Sequence, residues 1–448
     1  MYSYTLEKYK DQYKDEINTK YLPVIKIEEI ELNKNGFADI LSIDLNCTIK
    51  LKKAKNRINE YNNTIWEKIK KITNPYEYIY AFNINHKDND ANSVSDIKPL
   101  SRSFFKMIEI INEFCKDIII DNKQPIITAH IAEGPGGFIE ATRYIRNGLN
   151  KNECKYVTND LAYGITLVDD GLHKNIPSWK QSGKFLNDHP EIYISKGEDG
   201  TGNLYNVNNI KTFINTIKNG YNKGKNDNND NNNDSGYDNY KSKKAILVTA
   251  DGGFDFSIDY NYQEQASAKL IFAQILTALG CQEQHGTFVC KFFETNTYFI
   301  TEMLYLLSIC YEIVTIYKPF TSRIANSEKY IICRNFKNID IIFYNSLLDI
   351  LVKWNNLEHK HYTINYIFEE IPQYFINNIK DINTIIVTGQ IKSINNAIDV
   401  IKNKKQLNNH EWYNQNLQKQ IENAIEWCKK YNIPYKNNYP FITTLKNS

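Results

Sequence analysis

The sequence predicts an α/β fold: a Rossmann-like, mostly parallel sheet with helices on both faces, plus an N-terminal extension and a helical C-terminal appendage. Three observations carry this reading. Short apolar runs alternate with amphipathic stretches of helical length, the pattern of βαβ units. Two of those runs end in glycine turns, Gly134-Pro135-Gly136-Gly137 and Asp251-Gly252-Gly253, as strands do where they feed a ligand-facing loop. The last two runs follow one another through a loop without helical pattern, which predicts an antiparallel pair at one edge of the sheet.

In chain order, residues 126–132 (IITAHIA) form a buried strand, and 138–146 form the helix after the first glycine turn. Residues 245–249 (AILVT) are a second strand, 264–279 an amphipathic helix, 287–292 a strand and 298–310 a helix. Residues 312–317 and 329–334 are the antiparallel pair. These elements lie in a domain spanning 96–340. Residues 1–95, polar and of mixed pattern, form an N-terminal extension. Residues 341–448 turn largely helical, with Leu417, Ile421, Ile425 and Cys428 on one face. Residues 219–243 hold almost no apolar side chains and cannot offset their ordering entropy by burial, so they read as a disordered surface insertion.

At 448 residues, with 42% hydrophobic and 24% charged, the chain can bury a sizeable core without covalent staples. Eight scattered cysteines show no CxxC and no Cys/His zinc spacing, which predicts reduced, buried thiols and no metal. The net charge of +2 leaves nucleic-acid binding to a local basic groove. The N-terminal MYSYTLEKYKDQYKDE lacks an apolar signal region, and no stretch approaches the roughly 20 apolar residues that span a bilayer. A soluble, cytoplasmic protein without a membrane partner is expected.

The run Glu133, Gly134, Pro135, Gly136, Gly137, Phe138 joins a strand to a helix, where missing Cβ atoms and free helix N–H groups suit a bound ligand. The glycines alone would also suit a tight turn without one. The spacing is not GxGxxG and no Walker lysine follows, so S-adenosylmethionine fits better than a dinucleotide or a nucleoside triphosphate. In residues 197–204 (GEDGTGNL), Asn203 could bond adenine and Leu204 pack on its face; a solvated turn is the alternative. Asp251 ends an apolar strand at the rim where ligands bind. Lys291 stands in a strand among Val289, Cys290, Phe292 and Phe293, unusual company for a solvated lysine. Glu328 ends a polar loop that leads into a strand. Lys106 sits on an amphipathic helix, and by itself reads as a solvated charge.

Together these segments resemble the FtsJ-like (RrmJ-type) ribose 2'-O-methyltransferases, and among them the cap-1 mRNA enzymes of eukaryotes and large DNA viruses. The matching segments are SRSFFK, EGPGGF, GITL, GEDGTGNL, ADGGF, KLIFAQILTALG, GTFVCKFFE and KPFTSRIANSEKY, in family order over residues 101–336. The resemblance implies that Lys106, Asp251, Lys291 and Glu328 form the family's catalytic Lys-Asp-Lys-Glu tetrad, and that the glycine loop holds the methionyl part of S-adenosylmethionine. Asn203 matches a position often held by Asp. The implied substrate is capped mRNA, with other capping or transcription machinery as partners, no DNA, and a cytoplasmic viral factory, a virion or a cell nucleus as location. Ribosomal or transfer RNA is the second substrate reading, and an inactive RNA-binding scaffold the third.

The chemistry asks for positioning first. Holding acceptor oxygen, methyl carbon and sulfur in line can supply about 7–11 kcal/mol. Lys291 is the candidate to stabilise charge on the attacking oxygen or to act as base, Asp251 and Glu328 would orient the lysines, and Lys106 would close the ring. Arg102, Ser322 and Arg323, near that face, are candidates for RNA contact through phosphates.

Overall fold

The computed structural model describes residues 2–6, 26–29, 42–81, 93–147, 159–169, 178–220, 243–253, 260–357, 362–403 and 409–436. Residues 221–242 of the asparagine-rich stretch lie outside these. The strands are β1 (Tyr2–Thr5), β2 (Lys26–Glu29), β3 (Ile127–Ile131), β4 (Leu161–Ile165), β5 (Ile192–Ser195), β6 (Ala245–Ala250), β7 (Gln282–Phe292), β8 (Tyr311–Lys318), β9 (Lys329–Phe336) and β10 (Tyr362–Tyr366). The helices are α1 (Leu45–Asn56), α2 (Asn63–Ile72), α3 (Ser103–Phe114), α4 (Gly137–Asn147), α5 (Gly183–Asp188), α6 (Val207–Asn219), α7 (Gln263–Cys281), α8 (Tyr298–Cys310), α9 (Ile341–Leu357), α10 (Gln373–Lys402) and α11 (His410–Lys430).

Eight strands form one sheet in the order β1-β8-β9-β7-β6-β3-β4-β5. Strands β7, β6, β3, β4 and β5 run parallel. Strand β9 is antiparallel to both β7 and β8. The expected antiparallel pair is therefore present, and β1 extends the sheet one strand beyond it, antiparallel to β8. Strand β10 pairs with β2 in a separate two-stranded sheet.

Period-2 alternation sorts the core. Phe288, Cys290 and Phe292 of β7 face a cluster built with α6, α7, α8 and α9. Val289 faces the other cluster, with Phe104, Phe105 and Ile108 of α3 and Leu417, Ile421 and Trp427 of α11. Both sheet faces are covered, which is why these strands read as near-continuous apolar runs. Lys291 falls on the Val289 side of β7, toward α3. Tyr330 and Ile332 of β9 face the same way, and Glu328 shares their parity. The predicted stripe on α11 is buried at Leu417, Ile421 and Cys428, with Ile425 packed against it.

All seven cysteines within the described residues are free and buried. Among the described residues, no helix is long and apolar enough to cross a membrane.

Candidate active site

The parallel strands leave β3 in two directions, through β4 and β5 on one side and through β6 and β7 on the other. That reversal is the switch point at which open α/β sheets bind ligands beyond the strand ends. The glycine turn after β3 and Asp251 after β6 both sit there.

Two lysine–carboxylate pairs meet at this rim. Lys106 Nζ lies 2.8 Å from Glu328 Oε2 and 2.7 Å from Oε1. Lys291 Nζ donates to the Asp251 carbonyl oxygen at 2.6 Å and lies 3.3 Å from Asp251 Oδ1. The four side chains keep 11–15% exposure, so a substrate can reach them while bulk water screens them little. The structure thus brings together all four residues selected from the sequence. Burial alone would raise the Glu328 carboxyl, but the Lys106, Lys291 and Lys318 ammonium groups outweigh it and bring its pKa down to about 2. Ser322 Oγ also donates to Glu328 Oε1, at 2.9 Å.

Tyr330 joins the two pairs, and sequence reasoning missed it. It is fully buried on β9 opposite Lys291. Its hydroxyl donates to Asp251 Oδ1 at 2.9 Å, and Lys106 Nζ lies 6.0 Å from its ring centroid. Burial first, then the Asp251 and Glu328 charges, push its pKa well above the ordinary value. Tyr330 therefore remains a neutral donor. The one available signal was its place in the NSEKY segment, directly after the strand lysine.

The glycine turn fits a cofactor through its backbone rather than its side chains. Gly136 has φ +105°, and an added Cβ would lie 2.5 Å from the Trp179 ring. At Gly137 an added Cβ would lie 2.9 Å from the Phe104 nitrogen, so this glycine lets α4 approach α3. The first N–H groups of α4 have no intrahelical acceptors, and they face the rim where a carboxylate can take them. Pro135, preceded by Gly134 in the turn, is fixed through its carbonyl, which accepts the Ser182 hydroxyl.

Several expected side-chain contacts are placed elsewhere. The Glu133 carboxylate is buried under the sheet, where it accepts from Thr249 Oγ1 and lies 3.2 Å from His130 Nδ1. Burial raises its pKa, and only its backbone lies along the turn. The Phe138 ring packs on Tyr330 with centroids 5.6 Å apart, which joins the glycine turn to the two lysine–carboxylate pairs. Leu204 is buried in the core. Asn203 Oδ1, the atom expected to meet adenine, accepts the Tyr205 N–H at 2.9 Å.

Arg102 and Arg323 also have protein partners where the sequence suggested RNA phosphates. Arg323 donates to both oxygens of Glu77, at 3.0 and 2.6 Å. Arg102 donates to the Tyr80 carbonyl at 3.0 Å and pairs with Glu77 Oε1 at 3.5 Å. The cause is a carboxylate delivered from the N-terminal extension, 246 positions from Arg323, which no local pattern announces. Ser322 is buried behind Glu328 rather than on the surface.

Two ammonium–carboxylate pairs thus stand at the strand-end rim that also carries the glycine turn, and the match to a family of known enzymes gives this arrangement its class. Residues 99–336, more than half of the chain, match the FtsJ-like methyltransferase family, and the chain belongs to it. The methyl donor of this class is S-adenosylmethionine. The chain is 29% identical over 260 residues to cap-specific mRNA (nucleoside-2'-O-)-methyltransferase 1 of Mus musculus, covering 58% of this chain and 27% of that protein. It is 28% identical over 323 residues to the protein of the same name from Dictyostelium discoideum, covering 68% of this chain and 38% of that protein. The match thus spans well under half of either relative.

Proposed function

We propose that this chain methylates the ribose 2'-hydroxyl of the first transcribed nucleotide of capped mRNA. The observation that supports a hydroxyl acceptor is the meeting of Lys106–Glu328 and Lys291–Asp251 around Tyr330. S-adenosylmethionine supplies, when bound, a methyl group on an electron-poor sulfur. The residues of the chain do the rest. An ammonium has three donors. Two directions at Lys291 are taken by the Asp251 carbonyl and carboxylate, leaving one for a ribose oxygen, whose developing charge it stabilises as the hydroxyl gives up its proton to solvent water and takes the methyl group. Glu328 holds Lys106 on the opposite side, so the hydroxyl is gripped between two cations and turned toward the cofactor turn. Recognition of the 2'-hydroxyl makes the substrate RNA rather than DNA.

Two observations favour a capped end. The matched relatives are named as cap-specific enzymes. A cleft of about 130 Å³ also opens beside residues 323–327, lined by Trp66, Lys55, Lys70, Gln263 and Gln390. The Trp66 ring gives this cleft an aromatic wall, the kind of side chain on which an unstacked base packs. The cleft walls come from α1, α2 and α10 as well as the catalytic domain, which gives the appendages a part in choosing substrate. The test offers capped and uncapped forms of one transcript, and a ribosomal RNA fragment, to the protein with labelled S-adenosylmethionine. Methylation confined to the capped transcript supports the reading; equal labelling of uncapped or ribosomal RNA refutes it.

A further inference from the structure

Glu109 is a fully buried carboxylate that methyl transfer itself does not use. It lies on α3 three positions after Lys106, so the two share a side of the helix. Four neutral donors converge on it. Oε1 accepts from the Thr321 N–H at 2.8 Å and from Trp427 Nε1 at 3.0 Å. Oε2 accepts from the Phe320 N–H at 2.7 Å and from the Tyr317 hydroxyl at 3.2 Å. Burial pushes this carboxyl up, and the donors oppose the shift.

The donors come from two stretches of the chain, residues 317–321 and α11. Tyr317 belongs to β8 and Trp427 to α11, while Phe320 and Thr321 open the loop whose far end carries Glu328. That far end is gripped independently, because Lys318 Nζ donates to the carbonyls of Asn326 and Glu328, each at 2.5 Å. The loop is therefore pinned at both ends. Its first pin stands on the helix that bears Lys106, three residues from it, so movement there changes where Glu328 meets Lys106.

We infer that Glu109 is a positioning residue for the reaction: it ties the Glu328 loop to the Lys106 helix, and Trp427 makes the C-terminal appendage part of that clamp. Its catalytic consequence rests on the proposed methyl transfer, whereas the clamp itself does not, and the test separates the two. Glu109→Gln keeps the shape but turns an amide NH₂ toward groups that are all donors. Turnover on RNA, S-adenosylmethionine affinity by calorimetry and amide exchange of the peptide holding Phe320 and Thr321 are measured for this variant and the wild type. The expected result is a kcat at least tenfold lower, cofactor affinity within about twofold, and exchange at least tenfold faster in that peptide. Wild-type exchange there overturns the clamp. Faster exchange with wild-type kcat overturns the positioning role. If Glu109→Gln does not fold, Trp427→Phe decides by the same readings: faster exchange with a lower kcat and unchanged KM supports the inference, and no change in either defeats it. A wild-type protein inactive on RNA would remove the catalytic claim, yet leave the exchange result to judge the clamp.

Discussion

Tyr330 stands opposite Lys291 in the antiparallel register of β7 and β9, and its hydroxyl donates to the same Asp251 carboxylate that Lys291 approaches. The carboxylate is thereby held from two sides and cannot swing toward solvent. Tyr330→Phe removes one hydrogen bond to a charged group, worth about 1.5–3 kcal/mol. We expect methylation to slow by roughly one to two orders of magnitude and the thermal midpoint to fall by a few degrees, as read by single-turnover kinetics and a melting curve. An unchanged rate would mean that Asp251 needs no such anchor.

Lys291→Ala deletes the group proposed to stabilise the attacking oxygen. The loss should be about 10²–10³ in kcat, the range for removing one oxyanion donor. Calorimetry should find S-adenosylmethionine affinity nearly unaltered, because the cofactor turn lies on other elements.

Glu77→Ala leaves Arg102 and Arg323 without their shared carboxylate. Breaking a buried pair costs about 3–5 kcal/mol, and partial exposure of Arg323 puts this case toward the lower end. A lowered midpoint in urea should appear together with weaker RNA binding, since Arg323 also lines the cleft. A variant as stable as the wild type would show the network to be incidental.

Gly136→Ala places a side chain at φ +105° and against Trp179. Strain of about 1–3 kcal/mol at the turn should weaken S-adenosylmethionine binding at least tenfold in a titration.

Burial depresses Lys318 to about 7, from an ordinary value of 10.5. Below about pH 7 the lysine is charged in both folded and unfolded chains, and the folded state carries the whole cost. Between about 7 and 10.5 the unfolded chain binds the extra proton, so stability rises with pH. Measured against Lys318→Met, the wild type should gain stability from pH 7 to pH 10 in denaturant titrations. A difference independent of pH would contradict the assignment.

Strands β3, β6 and β7, the helices that follow them, Asp251 and Lys291 were legible in the sequence because each is local: an apolar run, a glycine turn, or a charge set in apolar company; Lys106, and in part Glu328, came only through the family resemblance, and β4 and β5 were not among the expected strands. Tyr330 was hidden because an apolar strand position and a hydrogen-bond donor look alike in a tyrosine. The pairing of Arg102 and Arg323 with Glu77 was hidden because that carboxylate reaches them only through the folded extension. Glu133 and Phe138 belong to a motif whose backbone faces the ligand edge while their side chains serve the core. Strand β1 escaped notice because its four residues carry no pattern of their own, and the edge of β8 supplies the pairing.

The most direct measurement is nucleoside analysis of capped RNA after incubation with S-adenosylmethionine and either wild-type protein or Lys291→Ala. The account predicts a 2'-O-methyl group on the first transcribed nucleotide with the wild type, and at least a hundredfold less with the variant. Methyl groups on a base, on an internal ribose only, or in equal amounts from both proteins would contradict it.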